Sequence, residues 1–185
     1  MAVQTHVRVS VEEFEQIAAL PENKDRRLEY IGGEIVEVVS NSDASEVAFL
    51  IGSELGAFNK HKKLGRFTTT DGGYMVAGER YMPDIGFISN ARQPERPHAA
   101  WNPLAPDLAV EVVSPTDSLK NLTDKVVNYL AAGTLTWVVY PDTQEIHVYE
   151  PGKPVKTLTI NDTLDGGKLL PGFKVALKDI FPTND

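Results

Sequence analysis

No cysteine occurs in the 185-residue chain, which excludes disulfides, thiolate nucleophiles and cysteine-bound zinc, and fits a reducing compartment such as the cytoplasm. Histidine is scarce. His6, His61, His98 and His147 have no spacing that makes a zinc site or a catalytic dyad, and no serine stands in a nucleophile elbow. Long apolar runs are missing too: no stretch approaches the ~20 residues of a membrane helix. The opening Met1-Ala2-Val3-Gln4-Thr5-His6 lacks the basic and apolar regions of a signal peptide, so a soluble cytoplasmic protein with no membrane partner is expected. Positive charge is in deficit. Against 26 Asp and Glu stand 18 Lys and Arg, a net charge of −8, which opposes a general binder of phosphate backbones unless basic residues gather on one face. The densest basic stretch, Lys60-His61-Lys62-Lys63 with Arg66 beyond, fits a solvated helix end, with a phosphate contact as the alternative.

What is present suits one domain spanning residues 1–185, with 42% hydrophobic residues for its core. Ser10 and Glu13 form a capping box that predicts a helix from Val11 until Pro21 stops it. Residues 27–31 and 34–39 read as strands flanking the two-residue turn Gly32-Gly33. Ser42 or Asp43 is the expected cap of a second helix with the stripe Val47, Leu50, Ile51, Leu55 and Phe58. Two short strands, 66–70 and 74–77, follow around Gly72-Gly73 and lead to a strand carrying Asp84, an antiparallel meander by its tight turns. Residues 89–106 are a long proline-containing loop, whose Trp101 docks it onto the core or offers a stacking surface. A third helix over 117–132, with Leu119, Leu122, Val126, Tyr129 and Leu130 inward, and a strand over 135–140 complete the centre. Strands near 146–149 and 155–160 with Gly-rich turns form a C-terminal β extension. A helical crossover joins parallel strands, so the expected fold is α/β: a helix-flanked mixed sheet with an N-terminal hairpin.

Two acids interrupt otherwise apolar strands: Asp84 in Met82-Pro83-Asp84-Ile85-Gly86-Phe87-Ile88, and Glu111 in Pro106-Asp107-Leu108-Ala109-Val110-Glu111-Val112-Val113. Buried carboxylates are costly unless paired, so acids on neighbouring core strands point to a shared cation. With side chains alternating, Asp84 shares a face with Gly86, and Glu111 with Ala109, small residues expected to leave room. Two carboxylates, the Val112 carbonyl and waters make an oxygen-only set suited to Mg2+ or Mn2+, and such an ion supports phosphodiester hydrolysis. Lys125 borders the apolar arc of the third helix, placed either to reach a phosphate or to snorkel from the rim. Glu54, in the apolar arc of the second helix, and Glu29, in the first hairpin, compete to complete the site; a structural ion pair is the plain alternative for each. Asp107, after Pro106, fits a turn cap.

These residues resemble the PD-(D/E)xK nuclease superfamily and, within it, the Uma-two-type family of restriction-endonuclease-like proteins. The likeness runs through Arg27-Leu28-Glu29-Tyr30-Ile31-Gly32-Gly33-Glu34, Pro83-Asp84, the segment from Ala105 to Pro115, Lys125 with Tyr129, Gly133 to Pro141, and the ending from Leu164-Asp165-Gly166-Gly167 to Phe173. The resemblance implies a restriction-endonuclease-like core with Asp84, Glu111 and Val112 as metal ligands, and it ranks Glu29 above Glu54. Where the superfamily pattern has a lysine two residues after the acid, this chain has Val113, and Lys125 on the following helix matches the migrated lysine. Ala44 stands where many members have a histidine. The implied activity is Mg2+-dependent hydrolysis of DNA by a homodimer with Asp84, Glu111, Lys125 and Glu29 at its centre; the rival reading is a non-catalytic interaction module that keeps the fold.

Overall fold

The computed structural model describes residues 8–182. The stretch 1–6, His6 included, lies outside the described residues. Helix α1 (Val11–Ala18) starts at the expected capping box: the Glu13 N–H donates to Ser10 Oγ at 3.1 Å, and the Ser10 N–H to Glu13 Oε2 at 2.7 Å. Strands β1 (Leu28–Ile31) and β2 (Glu34–Glu37) form the N-terminal hairpin. Its turn needs left-handed backbone at both positions, and Gly32 and Gly33 adopt φ of +60° and +88°. Helix α2 (Ser42–Lys62) follows, capped by Asn41, whose side chain accepts from the Ala44 N–H at 2.9 Å. Ser42 and Asp43, the expected caps, lie instead inside its first turn.

The meander beyond α2 departs from expectation. Strands β3 (Gly65–Thr69) and β4 (Gly73–Val76), on either side of Gly72-Gly73, do not pair with each other. Instead β4 forms a hairpin with an additional strand, β5 (Glu79–Tyr81), while β3 pairs with β6 (Ile85–Ser89) in a different sheet. The glycines serve close packing at this crossing rather than a hairpin. A Cβ on Gly72 would meet Thr68, and one on Gly73 the Trp101 ring, each at 2.4 Å. The loop over 89–106 contains a short strand, β7 (Trp101–Asn102), parallel to β4. Trp101 docks that loop onto Phe14 of α1, ring centroids 5.8 Å apart.

Strand β8 (Leu108–Val112), helix α3 (Leu119–Ala131) and strand β9 (Leu135–Tyr140) form the crossover, with β8 and β9 parallel. Strands β10 (Glu145–Tyr149) and β11 (Lys156–Leu158) extend the same sheet, and β12 (Thr163–Asp165) with β13 (Lys174–Ala176) forms a separate pair. The result is a mixed six-stranded sheet, β11-β10-β9-β8-β6-β3, beside a five-stranded one, β2-β1-β5-β4-β7.

Alternation along β8 divides the interior. Leu108, Val110 and Val112 enter a large core with Val47, Ile51 and Leu55 of α2 and the C-terminal Phe173 and Leu177. Ala109 faces a second core holding Tyr74, Tyr81 and Ile31 of the five-stranded sheet and Tyr129 of α3. The inward face of α3 differs at its start. Leu119, expected inside, is the first residue of the helix and 73% exposed, and Lys125 takes an inward place beside Val126 and Tyr129.

Candidate active site

Three elements deliver charge to the second of these cores. Glu111 is the last inward residue of β8; Lys125 comes from α3; Glu29 comes from β1, in the other sheet. All three are buried, at 7%, 7% and 2% relative exposure. The Lys125 ammonium lies between the two glutamates, donating to Glu111 Oε2 at 2.7 Å and to Glu29 Oε1 and Oε2 at 3.0 and 3.2 Å. Tyr129, one helical turn after Lys125, donates its hydroxyl to Glu111 Oε1 at 2.9 Å. Glu29 also accepts from the Met82 N–H.

Asp84 stands just before β6. Its Oδ2 accepts from the Val112 N–H at 2.7 Å, tying the start of β6 to the end of β8. Because the N–H and C=O of one extended residue leave on the same side of the strand, the Val112 carbonyl faces the edge at which Asp84 sits. Asp84, Glu111, Val112, Lys125 and Glu29 line one cavity of about 260 Å3.

Charge in this cavity is unbalanced. Burial raises the Asp84 carboxyl to about 6, against the pull of the Val112 N–H and Lys125. Burial likewise holds the Glu111 carboxyl well above the ordinary range; Lys125 opposes this, while Glu29 and Asp84 add to it. Burial works against the Lys125 ammonium, but Glu111 and Glu29 outweigh it and keep Lys125 charged. Three acidic side chains thus stand around one buried cation, which pairs directly with two of them.

This donor set fits a hard divalent ion. Asp84 Oδ1 has no hydrogen-bond partner among the described residues, the available ligand atoms are all oxygen, and an added cation would favour the ionised forms that burial disfavours. Among the described residues no three Asp, Glu or His side chains gather closely enough to form a centre by themselves. Lys125 occupies the space between Glu29 and Glu111, so the oxygens that could hold an ion are those of Asp84, Glu111 and the Val112 carbonyl.

The other candidates lie elsewhere or act locally. Glu54 is exposed on α2, whose buried stripe packs on the opposite face of β8; the expectation that it sits in the buried arc is corrected, since that arc is centred on Ala44, Val47, Ile51 and Leu55, to one side of Glu54. Asp107 is a loop tie, its Oδ2 accepting from the Ser89 N–H at 2.7 Å. Gly86 opens no room for a ligand: the Tyr74 ring fills the space, 2.6 Å from where a Cβ would stand. Tyr129 was legible as an inward residue of the third helix. Its i, i+4 spacing from Lys125 is the signal that places both on the same acid.

A mixed sheet flanked by helices, with paired acids and a lysine at the end of its central strands, defines a restriction-endonuclease-like α/β protein. The chain belongs to the Uma2 family, described as "Putative restriction endonuclease", whose model matches residues 11–178. Among solved structures it is similar to one from Anabaena variabilis described as "a putative nuclease belonging to DUF820", at 23% identity and a TM-score of 0.82 over 94% of this chain and 97% of that one. No curated protein matches the chain.

Proposed function

We propose that the protein is an Mg2+- or Mn2+-dependent endonuclease that hydrolyses DNA phosphodiesters. The observation that carries this reading is the single cavity in which Lys125 is held between Glu29 and Glu111 beside Asp84. Asp84, Glu111 and the Val112 carbonyl would hold the ion, which when bound supplies Lewis-acid chemistry at a phosphodiester. Lys125, kept protonated by its two partners, acts as a fixed cation rather than a base: it orients water and stabilises negative charge developing on the phosphate. Glu29 is a positioning residue, fixing Lys125 and being fixed in turn by the Met82 N–H. Tyr129 holds the second oxygen of Glu111.

The test is cleavage of duplex DNA by purified protein with Mg2+ or Mn2+. Asp84→Ala is expected to remain folded and to lose metal-dependent cleavage; retained cleavage by the folded variant removes the proposal. A second reading, an interaction module without catalysis, is favoured by the full engagement of Lys125 by two glutamates and by the net charge of −8. It predicts no stoichiometric Mg2+ site in calorimetric titration.

The proposal extends to one domain over residues 1–185, to a cytoplasmic protein and to a homodimer, by analogy with nucleases that cut two strands with paired subunits. No helix among the described residues is long and apolar enough to cross a membrane. Light scattering that returns a 20.3 kDa monomer removes the dimer.

A further inference from the structure

A second cavity, of about 360 Å3, adjoins the first, with Arg27, Ser40, Ser42, Ser45, Thr70 and Asp84 in its walls. Asp84 and Ser40 line both cavities, so the two meet at the carboxylate. Their charges differ. Five carboxylates, those of Glu29, Glu37, Asp84, Glu111 and Asp117, line the first, and its lysine is spent on two of them. In the second, Asp84 is the sole acid among the described residues.

Arg27 is half-buried, yet among the described residues its guanidinium makes no hydrogen bond or ion pair. The adjacent Arg26 is held by Glu37 at 2.7 Å. Ser45 and Thr70 likewise have hydroxyls with no partner among the described residues. Arg27 and Thr70 are partly withdrawn from water and left without acceptors, which is costly, so with the exposed Ser45 hydroxyl beside them this wall favours an acceptor-rich anion. The guanidinium fork matches the oxygens of a phosphate, and a chain of charge −8 needs a cation where a polyanion enters.

We infer that this second cavity is a subsite for a backbone phosphate neighbouring the scissile one, with Arg27 as its cation and the Ser45 and Thr70 hydroxyls as neutral donors. The inference rests on the nuclease reading of the adjoining cavity, and it names the part of the substrate that the second cavity takes. Arg27 would fix the register of the strand at Asp84 without touching the reacting atoms.

The test is fluorescence anisotropy of a short labelled DNA duplex with Ca2+, comparing the unaltered protein, Arg27→Ala and Arg27→Lys across a salt series. Removing one charged phosphate contact is expected to raise Kd roughly tenfold in Arg27→Ala. The slope of log Kd against log salt should fall by about one unit in that variant and be kept by Arg27→Lys. An unchanged Kd, a weaker Kd with an unchanged slope, or no DNA binding by the unaltered protein overturns the subsite. Thermal melting checks folding, and if Arg27→Ala does not fold, Arg27→Gln is read by the same criteria. Hydrolysis of bis(p-nitrophenyl) phosphate by the unaltered protein with Mg2+ judges the chemistry separately, because that compound has no neighbouring phosphate. Hydrolysis without an Arg27 effect on DNA binding removes the subsite alone; an Arg27-dependent slope without hydrolysis removes the nuclease reading and keeps the phosphate site.

Discussion

Tyr129 donates its hydroxyl hydrogen to Glu111 Oε1 at 2.9 Å, while Lys125, four residues earlier on α3, holds Oε2. One helix face therefore grips both oxygens of a buried acid. In Tyr129→Phe the ring packing against Tyr81 is kept but the carboxylate loses a donor. The expected cost is about 1–3 kcal/mol, read by urea denaturation, with cleavage reduced beyond what any unfolded fraction explains.

Lys125→Met should be more severe, because it leaves Glu29 and Glu111 buried without their cation. A loss of about 3–5 kcal/mol near neutral pH is expected. Adding Glu111→Gln to Lys125→Met should recover part of that stability while cleavage stays absent. A double-mutant cycle that shows simple additivity would mean that the two residues are not coupled.

Asp84 gives a pH signature in metal-free protein. Its folded-state carboxyl is raised to about 6 from an ordinary 3.8, so between these values the native state holds the proton more tightly than the unfolded chain. Ionising Asp84 therefore costs stability as pH rises through about 6, and the cost disappears below the unfolded value. Asp84→Asn should melt at higher temperature than the unaltered protein at about pH 8, by an amount on the order of 1–3 kcal/mol, the gap closing toward about pH 4. Thermal melts across that range check the direction.

Gly86→Ala tests the packing behind the site. Its Cβ would stand 2.7 Å from the Tyr74 hydroxyl oxygen and 2.8 Å from Thr68 Oγ1, two atoms that are hydrogen-bonded to each other at 2.9 Å. Overpacking of this kind should cost about 1–3 kcal/mol in denaturant unfolding. Glu54→Gln, exposed on the far side of the sheet, should stay within about 0.5 kcal/mol and leave cleavage unchanged.

Local chemistry explains how much of this could be read from the residues. The capping box at Ser10 and the Gly32-Gly33 turn are short-range signals, and both appear as expected. Asp84 and Glu111 stood out because charge in an apolar strand needs a partner, whereas Lys125 could equally be read as snorkelling and Glu29 was ranked above Glu54 only by the family resemblance. The separation of β3 from β4 was not legible, since glycines at 72 and 73 look the same whether they turn a hairpin or admit Thr68 and Trp101. Pairing between sheets is a long-range choice that no local window contains. The identity of the Lys125 partners was hidden for the same reason, Glu29 lying 96 residues away along the chain. Arg27 stood in the sequence only as a candidate ion-pair partner, because which arginine of Arg26-Arg27 is held by Glu37 and which is left without a partner among the described residues is settled only by the folded structure.

That separation has a consequence for biogenesis. Glu29 is synthesised early and rides on a different sheet from Glu111, so the two meet only after α3 has emerged and both sheets have docked. A nascent chain would hold Glu29 without its Lys125 and Glu111 partners, and the buried charges would be brought together only in copies that have finished folding.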